Sequence, residues 1–259
     1  MEEMRDCFMN IAILTGASAG LGVSFFRSLC CRYPELDAIW LVARREDRLQ
    51  ALAKNSSIPA VVLPMDLTEP AAYDALAAKL KEETPTVQLL INNAGVGQLD
   101  NIVDSDWPTQ ARMVDLNCRA LTAVTTVVLP YMTAGSAIIN VASIASFAPN
   151  ARMTVYSSTK AYVLSFSRGL REELKPSRIN ALAVCPGPMN TEFLEVADIT
   201  GRSPMFKMLP YSDPDKVADR AVVLAGKGKA VYTPRLFFKF YRVLAKLLPH
   251  GLILKLSKT

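Results

Sequence analysis

The sequence predicts an α/β protein built on a single doubly wound parallel β-sheet, with helices on both faces and an amphipathic helix at the C-terminus. Three observations carry that prediction. Short, uninterrupted apolar runs alternate with helix-length amphipathic segments, and strands buried on both faces read as such runs. The connections between them are short, and repeated β-α-β units of this kind wind into one parallel sheet. The first apolar run also leads directly into a glycine-rich turn and a helix.

In chain order, strands are expected at 11–14, 38–42, 60–63, 87–91, 137–141 and 179–184, with a last one at 229–233. Helices are expected at 20–32, 70–83, 108–132 and 154–174. Thr68-Glu69-Pro70 marks a helix start, with Thr68 as candidate N-cap and the proline in the first turn, where no N–H is needed. Pro234 opens a further helix to about Leu248, closed by Pro249-His250-Gly251. No repeat, low-complexity stretch or linker divides the chain, so 1–259 reads as one domain with a basic amphipathic extension at about 234–259.

Composition narrows the function. With 51% hydrophobic and 20% charged residues, the chain can fill a sizeable core and is not of the disordered type. Five cysteines (Cys7, Cys30, Cys31, Cys118, Cys185) form no CxxC pair, which fits a reducing cytoplasm better than a disulfide framework or a zinc site. The N-terminus lacks the features of a signal peptide, and no apolar run is long enough to span a bilayer. A cytoplasmic protein is expected. The single histidine, His250, argues against a histidine base, a catalytic triad or a multi-histidine metal site. No metal is expected, and acid–base work falls to Tyr, Lys or carboxylates. The net charge of +5 is asymmetric: residues 220–259 carry nine Lys or Arg and no Asp or Glu, while the other 219 residues hold 20 basic and 24 acidic side chains. A uniformly basic protein would point to nucleic acid. Charge confined to the tail does not, and no nucleic-acid partner is expected.

The glycine-rich turn is Thr15-Gly16-Ala17-Ser18-Ala19-Gly20-Leu21-Gly22, spaced GxxxGxG. Glycines let a backbone turn tightly against a pyrophosphate, and the following helix N-terminus offers free N–H groups to the anion. A plain strand-to-helix connection would also use glycines; the position after the first strand of a β-α-β unit favours phosphate binding. The second strand ends in Val42-Ala43-Arg44-Arg45, with no acid until Glu46. A carboxylate there would hold ribose hydroxyls, whereas arginine accommodates a 2′-phosphate. A basic pair is unfavourable beside the positive end of a helix dipole unless an anion answers it. NADP(H) is therefore expected over NAD(H).

Tyr156-Ser-Ser-Thr-Lys160 places a phenol and an ammonium four residues apart on one helix face, and no other tyrosine has a lysine at that spacing. A nearby cation stabilises phenolate, which suits a general acid/base. Ser143 follows the strand ending at Val141, and sites in doubly wound sheets form at the carboxyl ends of strands.

With these motifs in hand, the chain resembles the short-chain dehydrogenase/reductase family over roughly residues 10–233, a Rossmann-type fold. The matching elements are Thr15-Gly16-x-x-x-Gly20-x-Gly22, Asp66, Asn92-Asn93-Ala94-Gly95, Asn117, Ser143, Tyr156-x-x-x-Lys160 and Pro186-Gly187, all in family order. The resemblance implies an NADP(H)-dependent oxidoreductase that interconverts a ketone and a secondary alcohol. Tyr156 would be the acid/base, Lys160 would bind the nicotinamide ribose and depress the tyrosine pKa, Ser143 would orient the carbonyl, and Asn117 would hold a relay water. Gly16, Ser18, Gly20, Leu21 and Gly22 would cradle the pyrophosphate, with Arg44 and Arg45 at the 2′-phosphate. Asp66 would contact the adenine; Asn92, Ala94 and Gly95 would line the cofactor, and Pro186, Gly187 and Thr191 would flank the nicotinamide. Asp66 as an Asx turn and Asn117 as a satisfied core amide are the purely structural readings of the same residues. The resemblance also implies a homodimer or homotetramer through the helices at 108–132 and 154–174. Non-catalytic alternatives are an NADP(H)-binding redox sensor or a lipid-surface binding protein.

Beyond Thr191 the chain is irregular and rich in Met and Phe. Met205 and Phe206, with Phe147, Met153, Met189 and Phe193, predict an apolar pocket for a lipophilic substrate of steroid or fatty β-ketoacyl type. In the tail helix Arg235, Lys239, Arg242 and Lys246 form a basic stripe, and Phe237, Phe240, Tyr241, Leu244, Leu247 and Leu248 an apolar face. Such a helix can lie on an anionic membrane, giving peripheral membrane contact, or pack on the domain or a second subunit.

Overall fold

The computed structural model describes residues 9–197, 206 and 208–256. Among them, seven strands form one parallel sheet: β1 (Asn10–Thr15), β2 (Ala38–Ala43), β3 (Ala60–Pro64), β4 (Thr86–Asn92), β5 (Ala137–Val141), β6 (Asn180–Val184) and β7 (Val231–Tyr232). Their order is β3-β2-β1-β4-β5-β6-β7, so the winding reverses between β1 and β4. Leu14 pairs with Ile91, and Val141 with Val184. This register brings the loops after β1, β4, β5 and β6 out at one edge, at the reversal where open α/β sheets bind ligands.

The central strands β1, β2, β4, β5 and β6 are largely buried on both faces because their alternating side chains feed two cores. Ala12 and Leu14 pack with Phe25 and Leu29 of α1 (Leu21–Arg32) and with Ala218 and Val222 of the late helix Pro214–Gly226. Ile11, Ile13 and Trp40 face the other way, onto Leu76 and Leu80 of α3 (Pro70–Glu83), Val124 and Val128 of α5 (Leu121–Val128) and Leu170 of α6 (Thr154–Glu173). Truncating such a leucine to alanine costs about 2–5 kcal/mol. The other helices are α2 (Glu46–Lys54), α4 (Trp107–Val114), α7 (Phe193–Val196), α8 (the helix Pro214–Gly226), α9 (Leu236–Leu247) and α10 (His250–Leu256).

Four local expectations are corrected. The helix expected at 108–132 is interrupted: α4 passes through a π turn (Asp115–Ala120) into α5, and a 3-10 turn (Leu129–Tyr131) containing Pro130 ends it. Thr68 does not cap α3. Glu69 is the N-cap residue, and the Thr68 hydroxyl instead donates to Asp66 Oδ1 at 2.8 Å. The last strand spans only two residues. The tail helix begins at Leu236, after Arg235 in a left-handed conformation (φ 61°); it closes at Leu248 as expected, and the chain then enters α10.

Candidate active site

The glycine loop is fastened to the neighbouring strand's loop. The backbone N–H groups of Asn93 and Ala94 both donate to Thr15 Oγ1 at 3.1 Å, and Asn93 Nδ2 donates to the carbonyls of Thr15 (3.2 Å) and Gly16 (3.0 Å). Gly16 takes φ +66°, and a Cβ there would lie 2.7 Å from Ala94 Cα. This close approach demands glycine. Gly22 plays a different part from the one expected. A Cβ at that position would fall 2.1 Å from the Gly16 carbonyl oxygen, so Gly22 lets α1 close on the loop and does not line the cavity. α1 has no side-chain cap at Gly20; the Gly22 N–H turns back to the Ala19 carbonyl at 3.0 Å, and the positive end of the helix faces an anion site beside Gly20 and Leu21.

At one end of the cavity the arginines meet acids. Arg45 donates to both Glu192 carboxylate oxygens (2.6 and 3.1 Å) and to Ser18 Oγ (3.3 Å), and Arg48 adds a bond to Glu192 at 2.9 Å. Hydrogen bonding from Arg45 holds Glu192 below the ordinary carboxylate range. Glu46 and Asp47 in the first turn of α2 also answer its dipole, so the basic pair is less anomalous than it reads in sequence. Asp66 makes the Asx turn, accepting from the Thr68 N–H at 3.0 Å, while Arg112 (2.9 Å) and Arg44 (4.0 Å) approach its other oxygen. Burial pushes its pKa up, but these bonds and charges outweigh it and the net shift is downward.

At the other end, the strand β5 delivers Ser143 and the helix α6 delivers Tyr156 and Lys160, all three buried. Ser143 lies close enough to the Tyr156 hydroxyl to favour its phenolate, and its Oγ accepts from the Ala145 N–H at 3.1 Å. Lys160 Nζ donates to the Val141 carbonyl at 2.8 Å and lies 5.8 Å from the centre of the Tyr156 ring. Burial pushes Tyr156 up to about 12 and lowers Lys160 to about 8. The expected depression of the tyrosine by the lysine does not appear: burial dominates, and only Ser143 acts against it. Tyr156 is a protonated phenol at neutral pH.

Two further asparagines make structural hydrogen bonds. Asn117, carried inward by the π turn, spends its amide on structure: it donates to the Val96 carbonyl (2.8 Å) and Thr159 Oγ1 (3.0 Å) and accepts from the Val96 N–H (2.9 Å). It pins the loop after β4 and does not line the cavity. Asn92 is turned into the core, donating to Thr125 Oγ1 and Asn140 Oδ1, both at 2.9 Å. The cavity is lined instead by Asn93, Ala94 and Gly95.

One cavity of about 1030 Å³ joins the two ends, at the top of the range of small-molecule sites (roughly 300–1,000 Å³). Pro186, Gly187 and Thr191 lie along it, and Met153, Met189, Phe193 and Phe206 line its apolar part as expected. Phe193 packs on Tyr156, ring centroids 5.8 Å apart. Phe147 does not line it; its ring supports Tyr241 from behind, centroids 6.1 Å apart. Met205 lies outside the described residues. Sequence reasoning missed the far wall, made by Phe237, Phe238, Tyr241, Leu244, Leu248 and Ile253 of the tail helices. Phe238 sits on Gly187, where a Cβ would come within 2.2 Å of its ring. Glu192 was missed too, its one sequence signal being an acid beside the Thr191 match.

Fold and site define the class: a dinucleotide-binding sheet with a Tyr–Lys pair and a serine at its carboxyl edge. A family model described as short chain dehydrogenase matches residues 10–200, and the chain belongs to that family. It is 34% identical over 196 residues to sulfoacetaldehyde reductase 2 of Chromohalobacter salexigens, covering 71% of this chain and 74% of the relative. Among solved structures it is similar to a short-chain dehydrogenase from Sphingobium yanoikuyae in complex with NADPH (32% identity, TM-score 0.77, 93% of this chain and 96% of that one). It is also similar to the bulky-bulky ketone specific alcohol dehydrogenase from Comamonas testosteroni (27% identity, TM-score 0.71, 93% and 95%).

Proposed function

We propose that the protein is an NADP(H)-dependent reductase that interconverts a lipophilic ketone and its secondary alcohol, with Tyr156 as acid/base. The observation that carries this reading is the continuous cavity from Arg44 and Arg45 to Ser143, Tyr156 and Lys160. The residues present fit the cofactor. The Gly16–Gly20 cradle and the uncapped α1 suit a pyrophosphate, and Arg45 with Ser18 suits a 2′-phosphate. The NADPH-bound relative from Sphingobium supports the same choice.

When bound, NADPH supplies the hydride. The chain's own residues manage the carbonyl oxygen. Ser143 Oγ and the Tyr156 hydroxyl, neighbours at the carboxyl edge of β5, converge on the position where that oxygen gains charge. Tyr156 is held protonated by burial and gives up its proton there. Lys160 keeps its charge at pH 7 and has two N–H bonds beyond the one to Val141 with which to hold the nicotinamide ribose. Phe193 and the tail wall exclude water from the reacting atoms.

The substrate end supports a bulky apolar ketone rather than a small sulfonated aldehyde. Among its described lining residues only Lys160 is cationic, and the arginines lie at the opposite end. A buried sulfonate would lack a partner. The likeness to the bulky-bulky ketone enzyme points the same way. A homodimer or homotetramer in the cytoplasm belongs to this reading. Its candidate surface is α5 and α6, where the 41% exposed Tyr162 stacks on Phe166; light scattering after size exclusion tests it. The activity is tested by NADPH oxidation with aromatic and steroid ketones beside Tyr156→Phe. Ketone-dependent turnover that the substitution abolishes is expected.

A further inference from the structure

We propose that the outer face of α9 and the adjoining rim of the cavity form a docking surface for an anionic lipid bilayer, with the cavity mouth turned toward the membrane. The helix divides its apolar residues between two sides. Phe238 and Ala245 are buried in the domain, and Tyr241, Leu244 and Leu248 line the cavity. On the other side Leu236 (81%), Phe240 (69%), Val243 (55%) and Leu247 (75%) are exposed. They follow one another at steps of four, three and four, which places them in one stripe along the helix. Single exposed leucines are ordinary; a continuous row on one helix marks an interaction surface.

The exposure continues to the mouth. Val196, Met208 and Phe237 are exposed large hydrophobics that also line the cavity. Each stripe residue follows a cation in sequence (Arg235, Lys239, Arg242, Lys246), and residues 220–259 hold nine cations and no acid. A twofold contact with a second copy would set this patch against itself, cation against cation with no carboxylate from the segment to answer. A surface that offers both negative charge and apolar depth, as anionic headgroups over acyl chains do, satisfies the two features together. No helix among the described residues is long and apolar enough to cross a membrane, so the contact is in the interfacial plane. One wall of the cavity would then rest at the bilayer surface, where lipophilic ketones partition. That last consequence rests on the proposed reductase activity; the docking itself does not.

The test is co-sedimentation of the full chain with phosphatidylcholine vesicles and with vesicles that also contain phosphatidylglycerol. Two variants accompany it, Phe240→Ser/Leu247→Ser and Lys239→Gln/Lys246→Gln, both at exposed positions and both checked for unchanged melting and oligomeric state. The expected result is binding that requires phosphatidylglycerol, weakens at high salt, and falls about tenfold or more in either double variant. Equal pelleting of wild type and variants overturns the proposal. So does a shift of Phe240→Ser/Leu247→Ser from oligomer to monomer, which would show the stripe covered by a second copy. Vesicle binding is read without turnover, so its failure leaves the reductase reading standing.

Discussion

Arg45 and Glu192 form a contact on which cofactor affinity is expected to depend. The carboxylate holds the guanidinium from two sides and draws Arg48 in as well, on the same arginine that would receive a 2′-phosphate. An incoming phosphate must compete with it. Glu192→Gln is therefore expected to lower the KM for NADPH by about two- to fivefold, the worth of a partly exposed ion pair, and to leave the KM for NADH unchanged. An unchanged NADPH value would mean that the carboxylate and the phosphate do not compete. Lys160 carries a second residue-scale prediction. Its pKa is lowered to about 8 in the fold, against 10.5 for the free side chain. Below pH 8 the buried charge is present in the native state and its desolvation weakens the fold. Between about 8 and 10.5 the native state has released a proton that the unfolded chain keeps, so this contribution to stability rises with pH. Lys160→Met is expected to raise the melting temperature at pH 7 and to flatten that rise, while NADPH binding is lost. Wild-type NADPH affinity should itself decline as pH passes about 8, read by fluorescence titration.

At the scale of elements, the tail helices are held to the domain by few buried side chains, of which Phe238 on Gly187 is the largest. Phe238→Ala is expected to cost about 3–5 kcal/mol locally. Hydrogen exchange should show α9 and α10 opening while the sheet stays protected. Uniform protection would show that the pair is anchored elsewhere. The strands were legible in sequence because parallel strands buried on both faces leave uninterrupted apolar runs, and the glycine loop because its backbone geometry requires those residues. The π turn was not, since one inserted residue in a helical ladder leaves no side-chain signature. Yet this turn decides that Asn117 braces Val96. The helical period announced the tail as amphipathic, but it gave one apolar face where the structure has two. The second is created by a glycine 51 positions away in sequence. Asn92 and Asn93 show the same limit at residue level: adjacent strand-end asparagines point to opposite sides, and only the register says which one meets the cavity.

At the scale of the whole molecule, the sheet gathers residues from six strand ends into one cavity whose two ends differ in character, arginines and acids at one, aromatic and aliphatic side chains at the other. The charge is divided as well, with Arg235, Lys239, Arg242 and Lys246 in or beside the helix that walls the apolar end. Both divisions run in the same direction, from the polar to the apolar end of the cavity. The central claim is that Tyr156 transfers the proton in an NADPH-dependent reduction. Its most direct test is the rate of NADPH and NADH oxidation, measured in parallel on one bulky aromatic ketone, for wild type and Tyr156→Phe. The expected result is turnover with NADPH well above that with NADH, reduced about 10²–10⁴-fold in the variant, with NADPH binding retained. Turnover that survives the substitution would contradict the assignment of Tyr156, and turnover with NADH alone would contradict that of the arginine pair.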